Sequence, residues 1–222
     1  MTLRILTWNL KHGRSVPSAG HNLFDEFARA LAGWEWDVAL LQEVPPWWPA
    51  QLGPRLGASA RLVLTSRNAL LPVRRVSAER WPDAIKSNGG GSNAILLRGS
   101  RALEQRTMRL ALIPERRWLH AVKLDDGMWV GNLHATVDDE RAAVLEAEIA
   151  AFTTLRWAAG APVVLGGDFN VRSLELSGFT RAGGHDVDHL FVAGLKPVAG
   201  PDVLDRGWLS DHAPVAITVA RR

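Results

Sequence analysis

The sequence predicts an α/β protein in which two β-sheets pack face to face and are covered by helices. Short apolar runs, many with β-branched residues, recur along the chain between turn residues, and such runs are typical of strands. Only two segments have clear helical spacing. Packing one sheet on another buries the apolar faces of so many strands. A length of 222 residues fits one domain, which we expect to span residues 1–222.

The first half of the chain predicts five strands and one clear helix. Asn22 is a candidate N-cap with an acid three residues on, and Gly33 ends the helix that follows it. Two prolines after Val44 prevent the second strand from continuing. In order, the predicted elements are strand 3–8, helix 23–33, strand 37–44, a short helix or irregular segment over 47–60, strands 61–64 and 69–71, a glycine-rich loop over 88–93, and strand 94–97.

The second half predicts further strands and the best helix of the chain. A tight-turn sequence, Asp125-Asp126-Gly127, joins two of the strands. In the helix, apolar residues follow helical spacing and acids occupy the first turn, where the helix dipole favours them. In order, the predicted elements are strands 110–113, 119–124 and 128–134, helix 138–157, strands 162–165 and 186–192, a turn over 208–214, and strand 215–219.

Composition excludes several classes of protein. The absence of cysteine excludes disulfides, thiolate metal sites and a cysteine nucleophile. No apolar run is long enough for a membrane helix, and the N-terminus does not resemble a signal peptide. We therefore expect a soluble, cytoplasmic monomer without an integral membrane segment. The net charge of +3 permits an anionic partner without demanding one, and the ten tryptophans suit either core packing or base stacking.

The stretch Ala161 to Arg172 places polar residues directly after a predicted core strand. The strand leads into Gly166-Gly167, which lets the backbone turn sharply or approach a ligand closely. Asp168 and Asn170 follow two residues apart, so on an extended chain their side chains point the same way. A β-turn in which both side chains bond their own backbone explains the same residues. The rest of the chain has to decide between a site and a turn.

Polar side chains also stand at or near the ends of other predicted strands. Hard oxygen ligands without thiolate select Mg²⁺, Mn²⁺ or Ca²⁺, and a metal beside a histidine that can move a proton suits phosphoester hydrolysis. Taken singly, each residue also has a structural explanation as a turn residue, a solvated strand end, a satisfied histidine or a surface acid. The strand-end residues are Asn9, Glu43, His134, Asp168, Asn170, Asp188, Asp211 and His212.

Six segments, in order, resemble the endonuclease/exonuclease/phosphatase superfamily. The resemblance runs from residue 3 to residue 219 and implies a DNase I-like four-layer sandwich, in which two mixed β-sheets pack face to face and are flanked by helices. It also implies a divalent-metal phosphoesterase with its site at one edge, between the sheets. The segments are Thr7-Trp8-Asn9-Leu10, Leu41-Gln42-Glu43-Val44, Gly131-Asn132-Leu133-His134, Gly166-Gly167-Asp168-Phe169-Asn170, Val187-Asp188-His189-Leu190-Phe191 and Leu209-Ser210-Asp211-His212-Ala213-Pro214.

The resemblance implies a metal site and a substrate contact. Glu43 is similar to the principal metal ligand of the family, with Asn9 and Asp211 nearby, and Mg²⁺ is the expected ion, with Mn²⁺ or Ca²⁺ as alternatives. The DNase I branch has an acid after the glycine-rich loop, where it supports the second histidine. This chain has Ser92-Asn93 there, so the partner of that histidine stays open. We expect Asn93 to touch the substrate phosphate or the histidine itself.

The resemblance also assigns the groups that move protons. Asp168 and Asn170 are similar to the pair that orients the water or leaving group and contacts the phosphate. His212 and Asp188 are similar to the His–Asp couple of the family, and His134 is similar to its second histidine. Asp168 and His212 are joint candidates for the general base.

These observations predict a Mg²⁺-dependent phosphodiesterase, with nucleic acid as the expected substrate. Several arginines suit backbone phosphates, although scattered solubilising charge explains them equally well. The alternative is a small-molecule or lipid-headgroup phosphoesterase, because Trp47 and Trp48, which we expect to be exposed on a loop after Glu43, would suit a membrane surface or a stacked base equally. A binding module without catalysis is disfavoured, since no motif residue is missing. The arginines are Arg14, Arg55, Arg67, Arg74, Arg75, Arg116 and Arg117.

Overall fold

The computed structural model describes residues 2–66, 68–83 and 91–221. Within these ranges the chain forms twelve strands, four α-helices and a short 3₁₀ turn, Lys11–Gly13. The strands are β1 (Thr2–Asn9), β2 (Val38–Val44), β3 (Ser59–Leu64), β4 (Ser92–Leu97), β5 (Ala102–Ala111), β6 (Arg117–Leu124), β7 (Trp129–His134), β8 (Val163–Asp168), β9 (Thr180–His185), β10 (Asp188–Ala193), β11 (Leu195–Val203) and β12 (Val215–Arg221). The helices are α1 (Phe24–Gly33), α2 (Trp48–Arg55), α3 (Leu71–Arg80) and α4 (Glu140–Ala158).

The strands form two sheets of six. One has the order β11-β12-β1-β2-β4-β3, and the other has the order β5-β6-β7-β8-β10-β9. Each sheet has a single parallel pair at its centre, β1 with β2 and β7 with β8, and its other pairs are antiparallel. Both sheets are therefore mixed, as predicted.

The core has three apolar layers, which makes the fold a four-layer sandwich. Ile5 and Leu40 of the first sheet and Val130 and Val164 of the second belong to one buried cluster between the sheets. Helices α1 and α2 cover the outer face of the first sheet. Helix α4 covers the second sheet through a row of alanines, whose small side chains let the helix lie close to the strands. The predicted fold is confirmed.

Most of the tryptophans are structural rather than exposed for binding. Trp48 was expected on an exposed loop, but it is the first residue of α2 and is only 3% exposed. Its ring packs against Phe24 and Phe27, with centroids 5.4 Å away in both cases. The expectation for Trp48 is wrong, because burying so large an apolar ring outweighs its place after a strand end. Trp47 is half-buried.

The sequence prediction was wrong at residues 69–71 and incomplete for three edge strands. Residues 69–71 were predicted as a strand, but Leu71 begins α3, where a proline in the first turn favours a helix start. Strand β5 begins eight residues before the predicted residue 110, and β9 and β11 were not predicted. Most of the other strands carry apolar runs, whereas β9 contains two adjacent glycines and β11 contains two prolines.

The predicted loop over 88–93 is only partly within the described residues. Residues 88–90 lie outside them, and Ser92 and Asn93 belong to strand β4 rather than to a loop. Both side chains are buried, and β4 itself lies between β2 and β3 in the sheet. No helix in the described part of the chain has the length and apolar character needed to cross a bilayer.

Candidate active site

The two parallel strand pairs carry polar residues to one cleft between the sheets. Asn9 and Glu43 stand at or near the ends of β1 and β2, while His134 and Asp168 end β7 and β8. Asp188 begins β10, directly opposite Asp168. The cleft has a volume of about 450 Å³. It is lined by Asn9, Lys11, His12, Arg14, Glu43, His134, Val137, Asp168, Asn170, Asp211 and His212.

Gly167 allows β8 to approach β7 closely enough to place Asp168. Its φ is +144°, which side-chain-bearing residues rarely adopt, and an added Cβ would lie 2.0 Å from the carbonyl oxygen of Leu133. The glycine pair seen in the sequence is therefore required at its second position by sheet packing, whatever the cleft binds.

Asp168 is the most deeply buried acid of the cleft, with 1% of its surface exposed. Its Oδ2 accepts a hydrogen bond from Asn9 Nδ2 at 2.9 Å, and its Oδ1 accepts one from the Asn170 backbone N at 3.0 Å. Burial and, second to it, the charge of Asp188 raise the pKa of Asp168 to about 7, against the lowering effects of His212 and of these two hydrogen bonds. A carboxylate with a pKa near neutrality can accept a proton and release it again.

His212 and Asp188 form a hydrogen-bonded pair. His212 Nδ1 lies 2.7 Å from Asp188 Oδ2, and His212 Nε2 lies 3.7 Å from Asp168 Oδ2. Burial alone would lower the pKa of His212, but the bond to Asp188 and the charges of the neighbouring acids raise it to about 9. Burial raises the pKa of Asp188 as well. His212 is therefore cationic at neutral pH and presents Nε2 towards the cleft.

The loop that carries His212 is fixed to strand β1. Ser210 Oγ donates to the carbonyl oxygen of Asn9 at 2.7 Å, and Trp8 Nε1 donates to the carbonyl oxygen of His212 at 2.9 Å. Ser210 itself has a left-handed backbone, with φ of 59°. These bonds hold the histidine at a fixed distance from the Asn9–Asp168 contact.

Glu43 faces the cleft because β2 is irregular at its end. The register of β2 on β4 shifts between Leu41 and Val44, and Glu43 has a left-handed φ of 50°. Strained backbone of this kind is concentrated at functional sites. Glu43 Oε2 lies 3.3 Å from His12 Nε2, and Glu43 Oε1 lies 3.8 Å from His134 Nδ1.

The residue before Glu43 ties the two sheets together. Gln42 Nε2 donates to Asn132 Oδ1 at 2.8 Å and to Thr7 Oγ1 at 3.1 Å, and Asn132 Nδ2 donates back to the Leu41 carbonyl oxygen at 3.0 Å. All three polar side chains are buried. A polar crosslink between the sheets thus lies directly behind the cleft.

Two groups of donors could hold a metal ion. Glu43 and Asn9 offer carboxylate and amide oxygens, which suit a hard divalent cation. Asp168, Asp188 and His212 also place one ligand atom each within 4.8 Å of the others. The hydrogen bond at 2.7 Å between Asp188 and His212 leaves no room for an ion between them. The donor set at Glu43 is therefore the better fit.

The remaining predicted residues differ in their placement. Asn170 lines the cleft and donates its Nδ2 to the carbonyl oxygen of Ala135 at 3.0 Å. His134 is buried at the cleft floor, with Nε2 3.5 Å from Asp168 Oδ2. Asp211 lines the cleft and forms an ion pair with Lys11. Asn93 is buried inside β4, where it donates to the Trp118 carbonyl oxygen at 3.4 Å, and the described lining of the cleft does not include it.

Lys11 and His12 belong to the cleft but were not predicted. Both have left-handed backbones, with φ of 47° and 55°, and this turns their side chains into the cleft from the 3₁₀ turn. Their position two and three residues after Asn9 was the only signal that the sequence offered.

The expected phosphate-contacting arginines are scattered. Arg14 lines the cleft, where its Nε lies 3.1 Å from Asp83 Oδ1. Arg117 is largely buried and feels the charges of Glu43 and Asp168. Arg55 and Arg75 pair with acids of α1 and α3, and Arg67 lies outside the described residues.

A family model matches most of the chain. The model described as "Endonuclease/Exonuclease/phosphatase family" matches residues 6–212. No curated protein matches the chain in sequence.

Solved structures with the same fold include proteins with different names. An endonuclease/exonuclease/phosphatase from Bacteroides vulgatus has a TM-score of 0.74 at 16% identity, with all of both chains covered. TDP2 from Caenorhabditis elegans has a TM-score of 0.70 at 15% identity, with 99% of this chain and 75% of that chain covered. A mannosyl-6-phosphatase from Bacteroides thetaiotaomicron has a TM-score of 0.69 at 16% identity, with 98% and 99% covered. At these identities the likeness shows the DNase I-like fold alone.

Proposed function

The chain belongs to the endonuclease/exonuclease/phosphatase family of phosphoesterases, and we propose on this basis that it hydrolyses phosphodiester bonds with a divalent metal ion. The observation that carries the proposal is the contact of the two sheets at Asp168. There Asn9 from one sheet bonds the carboxylate of the other, and His212 lies across the same cleft. Oxygen ligands, a proton acceptor and a cation thus share one cavity.

The roles follow from the protonation states. Asp168, with a pKa near 7, takes the proton of the attacking water. His212 is held cationic by Asp188, so its Nε2–H stabilises the negative charge that develops on the phosphoryl group and can pass a proton to the leaving oxygen. Asn170 and His134 contact the phosphate oxygens from the side of the second sheet.

Glu43 is the proposed principal ligand of the metal ion, with Asn9 and Asp211 nearby. The ion, when bound, polarises a phosphoryl oxygen. Hard oxygen donors favour Mg²⁺, and Mn²⁺ or Ca²⁺ fit the same donors.

Nucleic acid is the proposed substrate. Arg14 on the cleft wall, which pairs with Asp83, is the candidate contact for a backbone phosphate. The charge of the buried Arg117 acts on Glu43 and Asp168 without reaching the surface. A small-molecule or lipid-headgroup phosphoester is the second candidate. A cleft of about 450 Å³ is in the size range of small-ligand pockets, and one structure of the same fold is a mannosyl-6-phosphatase. A monomeric state and a cytoplasmic location stay predictions.

A hydrolysis screen, in which each substrate is assayed once with Mg²⁺ and once with EDTA, tests the proposed phosphodiesterase activity. Its substrates are plasmid DNA, RNA, a generic aryl phosphodiester, mannose 6-phosphate and inositol phosphates. We expect cleavage of nucleic acid that EDTA abolishes and that added salt weakens steeply. Turnover of small phosphoesters alone would favour the second candidate, and no turnover of any substrate with Mg²⁺ or Mn²⁺ would contradict both.

A matched pair of variants tests the metal assignment. Glu43→Gln removes the charge of the proposed ligand and should abolish metal-dependent activity in a folded protein. Glu148→Gln makes the same change on the exposed face of α4 and should leave activity unchanged. Wild-type activity in Glu43→Gln would contradict the assignment of Glu43.

A further inference from the structure

We propose that the ammonium group of Lys11 takes the place of a second divalent ion at Asp211, so that this cleft binds a single metal ion, at Glu43. The proposal rests on the metal-dependent function above. The observation behind it is the ion pair between Lys11 Nζ and Asp211 Oδ2 at the wall of the cleft.

The backbone around Lys11 holds the ammonium group in place. The Lys11 backbone N donates to Asn9 Oδ1 at 2.9 Å, and the Gly13 N donates to the carbonyl oxygen of Leu10 at 2.8 Å. The turn also packs on Trp48, since a Cβ added at Gly13 would lie 2.4 Å from the Trp48 ring. The turn therefore fixes the Cα of Lys11, so that only its side-chain torsions have to be ordered when the ammonium group pairs with an acid.

Adjacent residues of this turn contact different carboxylates. Lys11 reaches Asp211, whereas His12 lies against Glu43, with Nε2 3.3 Å from Oε2. Neutral imidazole can share a metal ion with Glu43, but an ammonium group has no lone pair and can only replace an ion. The turn therefore leaves Glu43 suited to a metal and supplies Asp211 with a cation of its own.

The charges of the cleft are balanced by one divalent ion. His212 compensates Asp188, Lys11 compensates Asp211, and the charge of Arg14 is balanced by Asp83 outside the cleft lining. The acids of the cleft lining that remain are Glu43 and Asp168, whose combined charge when ionised matches one divalent cation. A second ion at Asp211 would have to displace the ammonium group or lie beside it. Two cations in contact with the same carboxylate repel each other strongly.

Lys11 also has N–H donors that Asp211 does not use. The ammonium group carries three, so those left over can point at an oxygen of a phosphate in the cleft. A fixed lysine would thus provide on one side of the substrate the positive charge that a metal ion provides on the other.

Counting Mn²⁺ ions on the metal-free full chain tests the proposal without relying on activity. Mn²⁺ is added up to millimolar concentration. Isothermal titration calorimetry gives the number of ions bound per chain, and electron paramagnetic resonance measures the Mn²⁺ that stays free. Both should give one bound ion per chain for the wild type. Lys11→Asp should raise the count to two, because a carboxylate replaces the cation beside Asp211. Lys11→Met removes only the charge and should add a second, weaker site; it also serves as the test if the aspartate variant does not fold.

Lys196→Asp provides the control. It makes the same charge change on an exposed residue of β11 and should keep the count at one. Two ions on the wild type, or one ion on folded Lys11→Asp and Lys11→Met, would overturn the role of Lys11 and leave the proposed function standing. A wild type that binds no ion would contradict the metal-dependent function itself.

Discussion

Asp168 and Asp188 lie directly opposite each other on the antiparallel strands β8 and β10, and both are buried. Two buried carboxyl groups on facing residues need a proton or a compensating cation, because two unpaired negative charges in a buried site are costly. His212 is that cation, because it bonds Asp188 at 2.7 Å and places its Nε2 3.7 Å from Asp168. The three groups therefore titrate as one unit rather than as separate acids and a base.

Replacing Asp188 with asparagine should reduce turnover without unfolding the protein. Asp188→Asn keeps the shape and a hydrogen bond to His212 but removes the charge that holds the imidazole cationic. We expect kcat to fall by roughly 10²–10⁴-fold, the usual contribution of a positioned proton-transfer group, while circular dichroism stays native. Asp25→Asn is the control, since that acid is exposed on α1 and pairs with Arg55. An unchanged kcat in Asp188→Asn would contradict the role of the pair.

Gly167→Ala should damage the fold rather than the chemistry alone. The new Cβ would collide with the Leu133 carbonyl oxygen, and backbone atoms of a central strand pair cannot move aside cheaply. We expect the free energy of unfolding to fall by about 3 kcal/mol or more in urea titrations. Gly33→Ala, at the end of α1 where nothing lies within 4 Å, should change stability little. Equal stabilities of the two variants would argue against the close approach of β7 and β8.

His120 should make the stability of the protein depend on pH. Its side chain is fully buried, and burial lowers its pKa from 6.5 to about 4, although a backbone contact with Asn93 acts in the opposite direction. Since the unfolded chain binds the proton more readily, its contribution is fully present above pH 6.5 and is lost as the pH falls towards 4. Over that range the wild type should lose about 3 kcal/mol more than His120→Leu.

Urea unfolding of both proteins at pH 7 and pH 4 measures this difference. The carboxylates titrate alike in the two proteins, so their effect cancels in the comparison. Parallel losses in the wild type and the variant would show that His120 is protonated in the folded state.

Glu146 should fix the segment that follows His134. Its buried carboxylate accepts hydrogen bonds from Thr136 N at 2.8 Å and from Thr136 Oγ1 at 2.6 Å, which joins α4 to that segment. Glu146→Ala leaves both donors without a partner, so we expect a loss of about 1–3 kcal/mol in stability together with a lower kcat. Glu148→Gln on the exposed face of the same helix is the control. A lower stability with a wild-type kcat would restrict Glu146 to folding.

The fold and most of the cleft could be predicted because their signals are local. Asn9, Glu43, His134 and Asp168 each follow an apolar run, and strands of this kind lie at the centres of the two sheets. The structure brings these residues together, although their chemical roles stay predictions. Edge strands such as β9 and β11 bury little apolar surface and therefore leave little trace in the sequence.

Lys11 and His12 could not be predicted, because their directions depend on backbone angles. A left-handed turn of two side-chain-bearing residues has no compositional signal, and either residue on extended chain would point elsewhere. Asn93 shows the opposite error, since a motif position suggested a contact that burial inside β4 makes unavailable without rearrangement. Sequence identifies residue types at strand ends, whereas the torsions around them decide which reach the cavity.

The crosslink between Gln42 and Asn132 has a consequence for how such a protein can change over generations. Asn9 and Glu43 belong to one sheet, and His134 and Asp168 belong to the other. The distance between these two pairs of residues therefore depends on the thickness of the apolar core between the sheets. A bulkier or smaller side chain in that core would widen or narrow the reaction geometry from a distance. Selection for an active cleft would thus also act on the volume of the core, because the hydrogen bond between Gln42 and Asn132 holds the sheets at a fixed separation.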